Sequence, residues 1–368
     1  MAAPLSDLRV VDISTVLAGP NCARYLADFG ADVIKVERPD TGDSLRGMAW
    51  RDPRDGEGLW WKLVNRNKRN IALDFKNEED LALLRKLLDD AHVLIENFRP
   101  GTLERLGLAP EELLKRNPKL VIVRVSGFGQ DGPYAHRAGY DYIIQGMSGL
   151  MSITGEPDGQ PQRAGVAVTD IFTGVYSVAG VLAALHQRHS TGKGQHLDMA
   201  LLDTAVSVTA NQAMNYLATG TPPGRTGNYH PNLTPYQVFD CADGHIIIAT
   251  GNDGQYQRLC ELLGLADMAT APEFLKNTNR VANREDMIAR LMAATRLRSK
   301  ADLLAACEAE NVPAGPINDL REVFDDPQVQ ARGMQIELDG IPGVRSPIRM
   351  SDADLSLRRP SPKLGQAN

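Results

Sequence analysis

The chain contains few cysteines and no pattern that would use them. Four cysteines are scattered through 368 residues, and no two of them form a C-x-x-C pair. Their number and spacing exclude a disulfide framework and a cysteine zinc site, and they are typical of a protein from a reducing compartment. We therefore predict buried, reduced thiols and a cytoplasmic location.

Long apolar runs and an excess of positive charge are also missing. The N-terminal residues have neither the basic segment nor the apolar segment of a signal peptide. The most apolar stretch, 175–185, is shorter than the roughly 18 residues of a membrane span. The formal net charge of -6 provides no overall basic field for nucleic acid or an anionic membrane. We expect neither nucleic acid nor a membrane as a partner.

The order of the predicted elements indicates an α/β protein. Strands are predicted at 9–13 and 32–37 around a helix at 22–29, and strands and helices continue to alternate to about residue 200. This alternation predicts a large domain with a Rossmann-like open sheet of parallel strands. A stretch rich in Thr, Gly and Pro at 218–226 then interrupts the pattern.

We divide the chain into two domains on this basis. The second domain is predicted to be smaller and α+β, because two strands at 236–240 and 245–250 precede a helix-rich segment. The predicted boundaries are 1–200 for the first part of the large domain, 201–226 for a linker, 227–311 for the small domain and 312–368 for a segment that returns to the large domain.

Several familiar motifs are absent or misleading. The segment 127–132 fits G-x-G-x-x-G, but Pro133 follows it instead of the helix that a dinucleotide site requires, so a loop is predicted. His186 and His189 have helical spacing but no third ligand nearby, so no metal site is predicted. No G-x-S-x-G nucleophile motif accompanies the remaining histidines, which makes a hydrolase triad a poor interpretation.

Two features have open interpretations from the residues alone. Asp170 ends a β-prone run at 163–170 and precedes a long apolar helix. A carboxylate there is placed where α/β sheets bind ligands, but aspartate also favours the N-cap of a helix. The cluster of amides and cations at 65–70 fits a solvated turn as well as a site for a phosphate-bearing ligand.

A long spaced pattern carries a family resemblance. It consists of Gly139-Tyr140-Asp141, Gln145, the segment 148–155 and the run 163–170. In this pattern the chain resembles the class III coenzyme A (CoA) transferases, the CaiB/BaiF family, over about residues 8–366. The resemblance implies a Rossmann-like CoA-binding domain, an interlocked homodimer and CoA transfer between carboxylic acids. It also implies that Asp170 is the nucleophile and that Tyr140 and Gln145 support it.

The resemblance implies further site residues. Six positions would contact CoA: Arg38, Lys68, Asn97, Phe98, Arg105 and Arg137. Gly251 and Gly254 would belong to a mobile glycine loop, 251–255, that shields the active site. Backbone N–H groups in that loop and beside Asp170 are candidate oxyanion donors. Acyl-CoA and a carboxylic acid would be substrates, with no permanently bound cofactor and no metal. Family members usually continue past Asn368 with a further helix, so we expect this sequence to end early relative to them.

Two alternative functions are weighed against CoA transfer. An α-methylacyl-CoA racemase would pair the aspartate with a histidine, but Tyr140 stands at that place, and a tyrosine of pKa about 10 is a poor base near pH 7. A non-catalytic acyl-CoA-binding protein would need neither Asp170 nor the glycine loop. Among transferases, the pattern is most like those that use succinyl-CoA and dicarboxylic acceptors such as glutarate or itaconate. Candidate cations for the distal carboxylate are Arg163, Arg225 and His230.

Overall fold

Six short strands form one parallel sheet in the computed structural model, which describes residues 3–48, 50–355 and 357–368. They are β1 (Arg9–Asp12), β2 (Asp32–Glu37), β3 (Lys68–Ala72), β4 (Val93–Glu96), β5 (Val121–Ser126) and β6 (Gln195–Ala200). Their order across the sheet is β3-β2-β1-β4-β5-β6, with every neighbouring pair parallel. This is the strand order of doubly wound nucleotide-binding folds. The predicted α/β class is therefore confirmed.

Helices cover both faces of this sheet. They are α1 (Ala18–Asp28), α2 (Leu59–Asn65), α3 (Glu78–Asp89), α4 (Thr102–Arg105), α5 (Pro110–Arg116), α6 (Asp141–Met147), α7 (Val168–Thr191), α8 (Leu201–Val208) and α9 (Ala210–Thr219). Val10 and Val33 pack in one apolar cluster with α1 and α7, whereas Val11 and Ile34 pack in another with α3. Burial on both faces explains why successive residues of β1 and β2, Val10-Val11 and Val33-Ile34, are apolar.

The chain divides into two compact units. The large unit comprises the residues up to Met151, Arg163–Thr221 and Pro327–Asn368, and the small unit comprises Ser152–Gln162 and Pro222–Asp326. The large unit also contains α16 (Pro327–Ala331) and a hairpin of β10 (Gln335–Leu338) and β11 (Ile341–Val344).

The small unit has its own antiparallel sheet and core. Its strands are β7 (Tyr236–Cys241), β8 (Gly244–Ala249) and β9 (Ala314–Pro316). Its helices are α10 (Asp253–Leu262), α11 (Ala266–Thr270), α12 (Asn277–Ala282), α13 (Arg284–Thr295), α14 (Lys300–Ala309) and α15 (Leu320–Asp325). Phe239, Tyr256 and Phe274 lie at the centre of its apolar cluster.

Two predicted boundaries need correction. Much of the predicted linker, 201–226, is helical, because α8 and α9 occupy it as far as Thr219. The small unit extends to Asp326 and not to 311, since β9 pairs with β8. The short helices α4 and α5 are separate, and Gly107 adopts φ 66° between them.

The four cysteines are free and buried, as predicted. Across the described ranges, no group of three His, Cys, Asp or Glu side chains could hold a metal ion.

One described helix, α7, is long and apolar enough to cross a membrane, but 44% of its most apolar stretch is buried inside the protein. A single helix of this kind is weak support for a membrane span, and the cytoplasmic location stays a prediction.

Candidate active site

Asp170 is the third residue of α7. The strand predicted at 163–170 is wrong, because α7 begins at Val168 and 163–167 is irregular. This segment pairs with none of the described strands, so its β-propensity is not realised. Asp170 is not an N-cap either, since Ala167 holds that position and supplies no side-chain cap.

A second carboxylate, that of Asp141, occupies the N-terminus of α7. Its Oδ1 atom accepts from the backbone N–H of Thr169 at 2.8 Å and from the Thr169 hydroxyl at 2.6 Å, and it lies 3.4 Å from the backbone nitrogen of Asp170. These are N–H groups that a helix leaves without an intrahelical partner, and the helix dipole favours a negative charge beside them. Asp141 therefore caps the N-terminus of α7, which is the role that one interpretation of the sequence gave to Asp170.

Gln145 fixes both sides of this arrangement from α6. Its side chain is buried. Nε2 donates to Oδ2 of Asp141 at 2.7 Å, and Oε1 accepts from the backbone N–H of Ala164 at 2.9 Å. One amide therefore orients the Asp141 carboxylate and holds the segment that leads to Asp170.

The environment of Asp170 disfavours its negative charge. Burial raises the pKa of its carboxyl to about 7, and the Asp141 carboxylate adds to the shift. In the part of the chain that the structure describes, nothing donates a hydrogen bond to its oxygens. Such a carboxylate is more basic than an ordinary aspartate and is still partly ionised near pH 7, which suits a nucleophile.

Two glycines bring Asp141 to the end of β5. A Cβ atom on Gly127 would lie 2.5 Å from the Cα of Gly139, and one on Gly139 would lie 2.6 Å from the Cα of Gly127. Only glycine lets two backbones approach this closely. The segment 127–132 is a loop, as predicted, because the next helix begins only at Asp141. Tyr140, between Gly139 and Asp141, is 70% exposed.

The loops after β1 and β4 meet where the strand order reverses. Asn97 joins them, since its Nδ2 donates to the carbonyl of Thr15 at 2.7 Å and its Oδ1 accepts from the N–H of Thr15 at 2.8 Å. Ligands of doubly wound sheets bind at this edge, beyond the carboxyl ends of the strands. Phe98 follows Asn97 and packs edge-on against Phe75. Both predicted CoA contacts therefore lie at the expected edge of the sheet.

The predicted arginines Arg38, Arg105 and Arg137 are exposed. Arg38 directly follows β2 at the same edge. Arg105 donates to the hydroxyl of Thr102 at 2.9 Å, and Arg137 lies 4.5 Å from the ring centre of Tyr134. None of the three forms a salt bridge with a described carboxylate. Guanidinium groups without acidic partners remain available to phosphate groups.

Lys68 does not join this exposed group. Its side chain is fully buried, and Nζ donates to Oδ2 of Asp12 at 2.8 Å, to the Pro20 carbonyl at 2.9 Å and to Oδ1 of Asn65 at 2.9 Å. All three N–H donors of the ammonium group are thereby used. This placement speaks against the predicted contact between Lys68 and CoA, because the ammonium group has no exposed surface.

The predicted glycine loop lies in the small unit and is mostly helical. Gly254 is the second residue of α10, so only Gly251 and Asn252 stand outside the helix. Gln255 accepts from the N–H of Gly251 at 2.7 Å, and Asn252 accepts from the N–H of Gln255 at 2.9 Å. The segment is a capped helix start and not an open loop.

Asp141 and Thr169 are functional candidates that sequence reasoning missed. One signal was present, because Asp141 and Gln145 have the spacing that places two residues on one helix face. The contact between Asp141 and Thr169 spans 28 positions of the chain. Such a contact depends on tertiary structure and leaves no periodic signal in the sequence.

Comparison with known proteins finds relatives along the whole chain. The family model of CoA-transferase family III matches residues 5–368. A succinate–glutarate CoA-transferase from Agrobacterium fabrum is 53% identical over 99% of this chain and 93% of its own length. An acetyl-CoA:oxalate CoA-transferase from Acetobacter aceti is 40% identical over 99% of this chain and 93% of its own length. A crystal structure of a CaiB/BaiF family protein from Brucella suis matches with a TM-score of 0.90 and 50% identity, covering 100% of this chain and 97% of that one.

Proposed function

The chain belongs to CoA-transferase family III, and we propose that it moves CoA from succinyl-CoA to a dicarboxylic acid through a covalent intermediate on Asp170. The observation that carries the proposal is the state of Asp170. Its carboxylate receives no hydrogen bond from the described residues, and its pKa is raised to about 7 by burial and by Asp141. The names of two similar enzymes, which specify glutarate and oxalate, support a dicarboxylic acceptor.

The exchange follows from nucleophilic attack by a carboxylate. An oxygen of Asp170 attacks the thioester carbonyl of succinyl-CoA, and the C–S bond breaks to give a mixed anhydride and CoA thiolate. The thiolate then attacks the aspartyl carbonyl, so that succinate leaves and an aspartyl–CoA thioester remains. The acceptor carboxylate attacks this thioester, which releases CoA thiolate and forms a second mixed anhydride between Asp170 and the acceptor. The thiolate then attacks the acceptor's carbonyl in this anhydride and forms the new acyl-CoA. Asp170 is regenerated, and the covalent steps divide one difficult exchange into easier ones.

The residues around Asp170 hold it in position. They also occupy backbone N–H groups that could otherwise stabilise an oxyanion. Asp141 accepts from the backbone at Thr169 and lies near the nitrogen of Asp170, and the N–H of Gly251 donates to Gln255. The backbone donors predicted beside Asp170 and at Gly251 are therefore already engaged. We infer that the thioester oxyanion is stabilised by other groups, and that Asp141 and Gln145 serve to orient the helix start.

Arg163 is the best placed of the three cations considered for the distal carboxylate. Arg225 donates to the carbonyls of Glu156, Pro157 and Gly159. The ring Nδ1 of His230 accepts from two backbone N–H groups. Arg163 is exposed, donates to the carbonyl of its own neighbour at 3.1 Å and lies over the ring of Tyr142. It also shares the large unit with Asp170.

A substrate screen tests this part of the proposal. Succinyl-CoA is incubated with acids of different length, and new thioesters are identified by mass. We expect glutarate and other C4 or C5 dicarboxylates to react. Arg163→Ala should raise KM for the dicarboxylate about tenfold or more, as expected for one charge-assisted hydrogen bond, whereas Arg116→Ala on α5 should not. Reaction with monocarboxylic or aromatic acids alone would contradict the dicarboxylate assignment and leave CoA transfer standing.

Racemisation and non-catalytic binding have less support. A racemase needs a second base beside the aspartate, and Tyr140 offers only a phenol, which is a poor general base. A protein that only binds acyl-CoA would gain nothing from a partly buried carboxyl with a pKa of about 7. Turnover of any acyl-CoA and acid pair distinguishes the transferase from both.

We also propose that the chain forms a homodimer, interlocked as the family resemblance implies. The helices α6, α7 and α9 of the large unit expose many large apolar side chains. They include Tyr142, Ile143, Met147, Phe172, Val175, Tyr176, Met214, Tyr216 and Leu217. So many exposed apolar side chains are typical of a surface that binds another chain. Sedimentation should show a dimer at micromolar concentration, and a monomer there would contradict this proposal.

A further inference from the structure

We propose that Lys68, acting through Asp12, is a positioning residue for CoA transfer. Together with Lys35 it holds the turn 13–17, which follows β1, against the start of the helix that carries Asp170. This inference rests on the proposed function of Asp170 as the nucleophile. It gives Lys68 an indirect role in place of the CoA contact predicted from the family resemblance.

Two lysines and one aspartate are buried together beneath this turn. Asp12, Lys35 and Lys68 have no exposed surface. Oδ2 of Asp12 lies 2.8 Å from Nζ of Lys68 and 3.6 Å from Nζ of Lys35. Two cations and one anion leave a net positive charge in the interior, which costs free energy that apolar side chains of similar size would avoid. Stability alone does not account for such a cluster.

The three side chains act on the backbone around Ser14. Lys35 donates to the carbonyl of Ser14. Oδ1 of Asp12 accepts from the N–H of Ser14 at 3.0 Å and from its hydroxyl. Lys68 holds the other oxygen of Asp12 and also donates to the carbonyl of Pro20 in the first turn of α1. The cluster therefore ties the turn to the helix that follows it.

The rest of the turn is held in a strained conformation. Val16 adopts φ 67°, which is rare for a β-branched residue and persists only where the surroundings enforce it. Its N–H donates to Oδ2 of Asp43 at 3.0 Å, and Asn97 pairs with both backbone groups of Thr15. Three successive residues, Ser14 to Val16, are thus held by side chains from different parts of the large unit.

This turn is packed against the start of α7. Val16 and Ala167, the residue before α7, both pack against one small apolar cluster. Its buried members are Leu17, Leu45, Trp61 and Val64. One turn beyond Asp170, a Cβ atom on Gly174 would lie 3.0 Å from the carbonyl oxygen of Ala18, so α1 and α7 have no space between them. A displaced turn would therefore move Asp170, and a misplacement of about 1 Å can cost about 100-fold in rate.

Paired lysine variants test the positioning role. Lys68→Met removes the charge and keeps the length of the side chain. Lys62→Met is the matched control, since Lys62 is also buried and paired, with Asp52 at 2.6 Å and Asp55 at 2.7 Å, but makes no hydrogen bond to the turn. We expect Lys68→Met to lower kcat about 10- to 100-fold with KM for succinyl-CoA within about threefold of wild type. Lys62→Met should lower Tm without a comparable loss of kcat.

The pH dependence of kcat gives a second readout. The pKa of Lys68 is lowered to about 8, chiefly by burial. The positive charges of Lys35 and Arg24 contribute to this lowering, whereas the negative charge of Asp12 opposes it. The buried thiol of Cys22 on α1 also interacts with this cluster, and its own pKa is raised. As the pH rises above about 8, Lys68 loses a proton and its charged contact with Asp12 weakens. The kcat of wild type should therefore fall in this range, and Lys68→Met should lack this alkaline limb.

The outcomes separate this inference from its alternatives. If Lys68→Met lowers kcat no more than Lys62→Met, Lys68 is not a positioning residue. If KM for succinyl-CoA rises tenfold or more at unchanged kcat, Lys68 acts on CoA binding instead. Should Lys68→Met fail to fold, Ser14→Ala removes only the hydroxyl bound to Asp12, and an unchanged kcat in that variant would equally overturn the inference. Failure of the proposed function would differ from all of these, because Asp170→Ala would then retain exchange.

Discussion

Replacing Asp170 by asparagine should stabilise the protein while it abolishes exchange. The ionised carboxylate is disfavoured in the folded state by burial and by the neighbouring charge of Asp141, which together raise its pKa from 3.8 to about 7. Asparagine has nearly the same shape and no charge. The variant therefore keeps the geometry of the site and removes the unfavourable ionisation.

The size of the effect follows from the shift in pKa. A change of about three pKa units corresponds to about 4 kcal/mol at 1.36 kcal/mol per unit. Below about pH 3 the carboxyl is protonated in both the folded and the unfolded state, so the penalty is absent in wild type. It grows as the pH rises from the unfolded value of 3.8 to the folded value of about 7, and it is constant above that range. The gain in stability of Asp170→Asn should follow the same curve.

Thermal unfolding at a series of pH values measures this gain. Above pH 8 the transition of the large unit should lie roughly 5–10 °C higher in Asp170→Asn than in wild type, and the difference should shrink toward pH 4. Asp131→Asn is a suitable control, because Asp131 is an exposed acid in the loop after β5. Its difference from wild type should be small at every pH.

Two results would refute this reasoning. A stability difference that does not change between pH 4 and pH 8 would show that Asp170 is not perturbed by the folded environment. A variant less stable than wild type above pH 7 would show that the carboxylate receives favourable contacts. Either result would remove the electrostatic basis for treating Asp170 as an unusually basic nucleophile.

Three further changes probe the site and the CoA edge. Protonation of Asp170 should lower kcat/KM as the pH falls. Asp141→Asn removes the charge beside Asp170, so this fall in kcat/KM should occur at a lower pH than in wild type. If its position does not change, burial alone causes the raised pKa of Asp170. Gly139→Ala places a Cβ atom 2.6 Å from the backbone of the loop after β5, which should cost about 1–3 kcal/mol in urea unfolding and lower kcat; wild-type behaviour would show that this close approach is unimportant. Arg38→Ala should raise KM for succinyl-CoA and weaken its dependence on salt, because one phosphate-facing charge is lost, whereas Arg116→Ala should do neither. An unchanged KM would remove Arg38 from the CoA site.

The sheet of the large unit could be predicted because its strands carry a strong local signal. Val10-Val11 in β1 and Val33-Ile34 in β2 place apolar side chains on both faces, which is characteristic of a buried parallel strand. The signal is weaker where local and tertiary preferences conflict. The run 163–170 has β-propensity, but Gln145 and Asp141 bind its backbone, and none of the described strands pairs with it.

The site was predictable in part. Asp170 was identified from a long spaced pattern, and its position in the first turn of α7 is compatible with that role. Its electrostatic partner Asp141 could not be inferred, since the contact depends on how the loop after β5 returns to α7. Lys68 was assigned to CoA from the family resemblance, yet the fold places it in the interior beside Asp12. Composition identifies a cation, but only the tertiary structure shows whether its donors are already occupied.

The most direct test of covalent catalysis is to trap the aspartyl–CoA intermediate. The enzyme is incubated with succinyl-CoA without an acceptor, digested under mildly acidic conditions and mapped by mass spectrometry. We predict a CoA adduct on the peptide that contains Asp170, its loss when glutarate is added, and no adduct and no exchange in Asp170→Ala. Substantial exchange by Asp170→Ala, or an adduct on a different peptide, would contradict the assignment of Asp170 as the nucleophile.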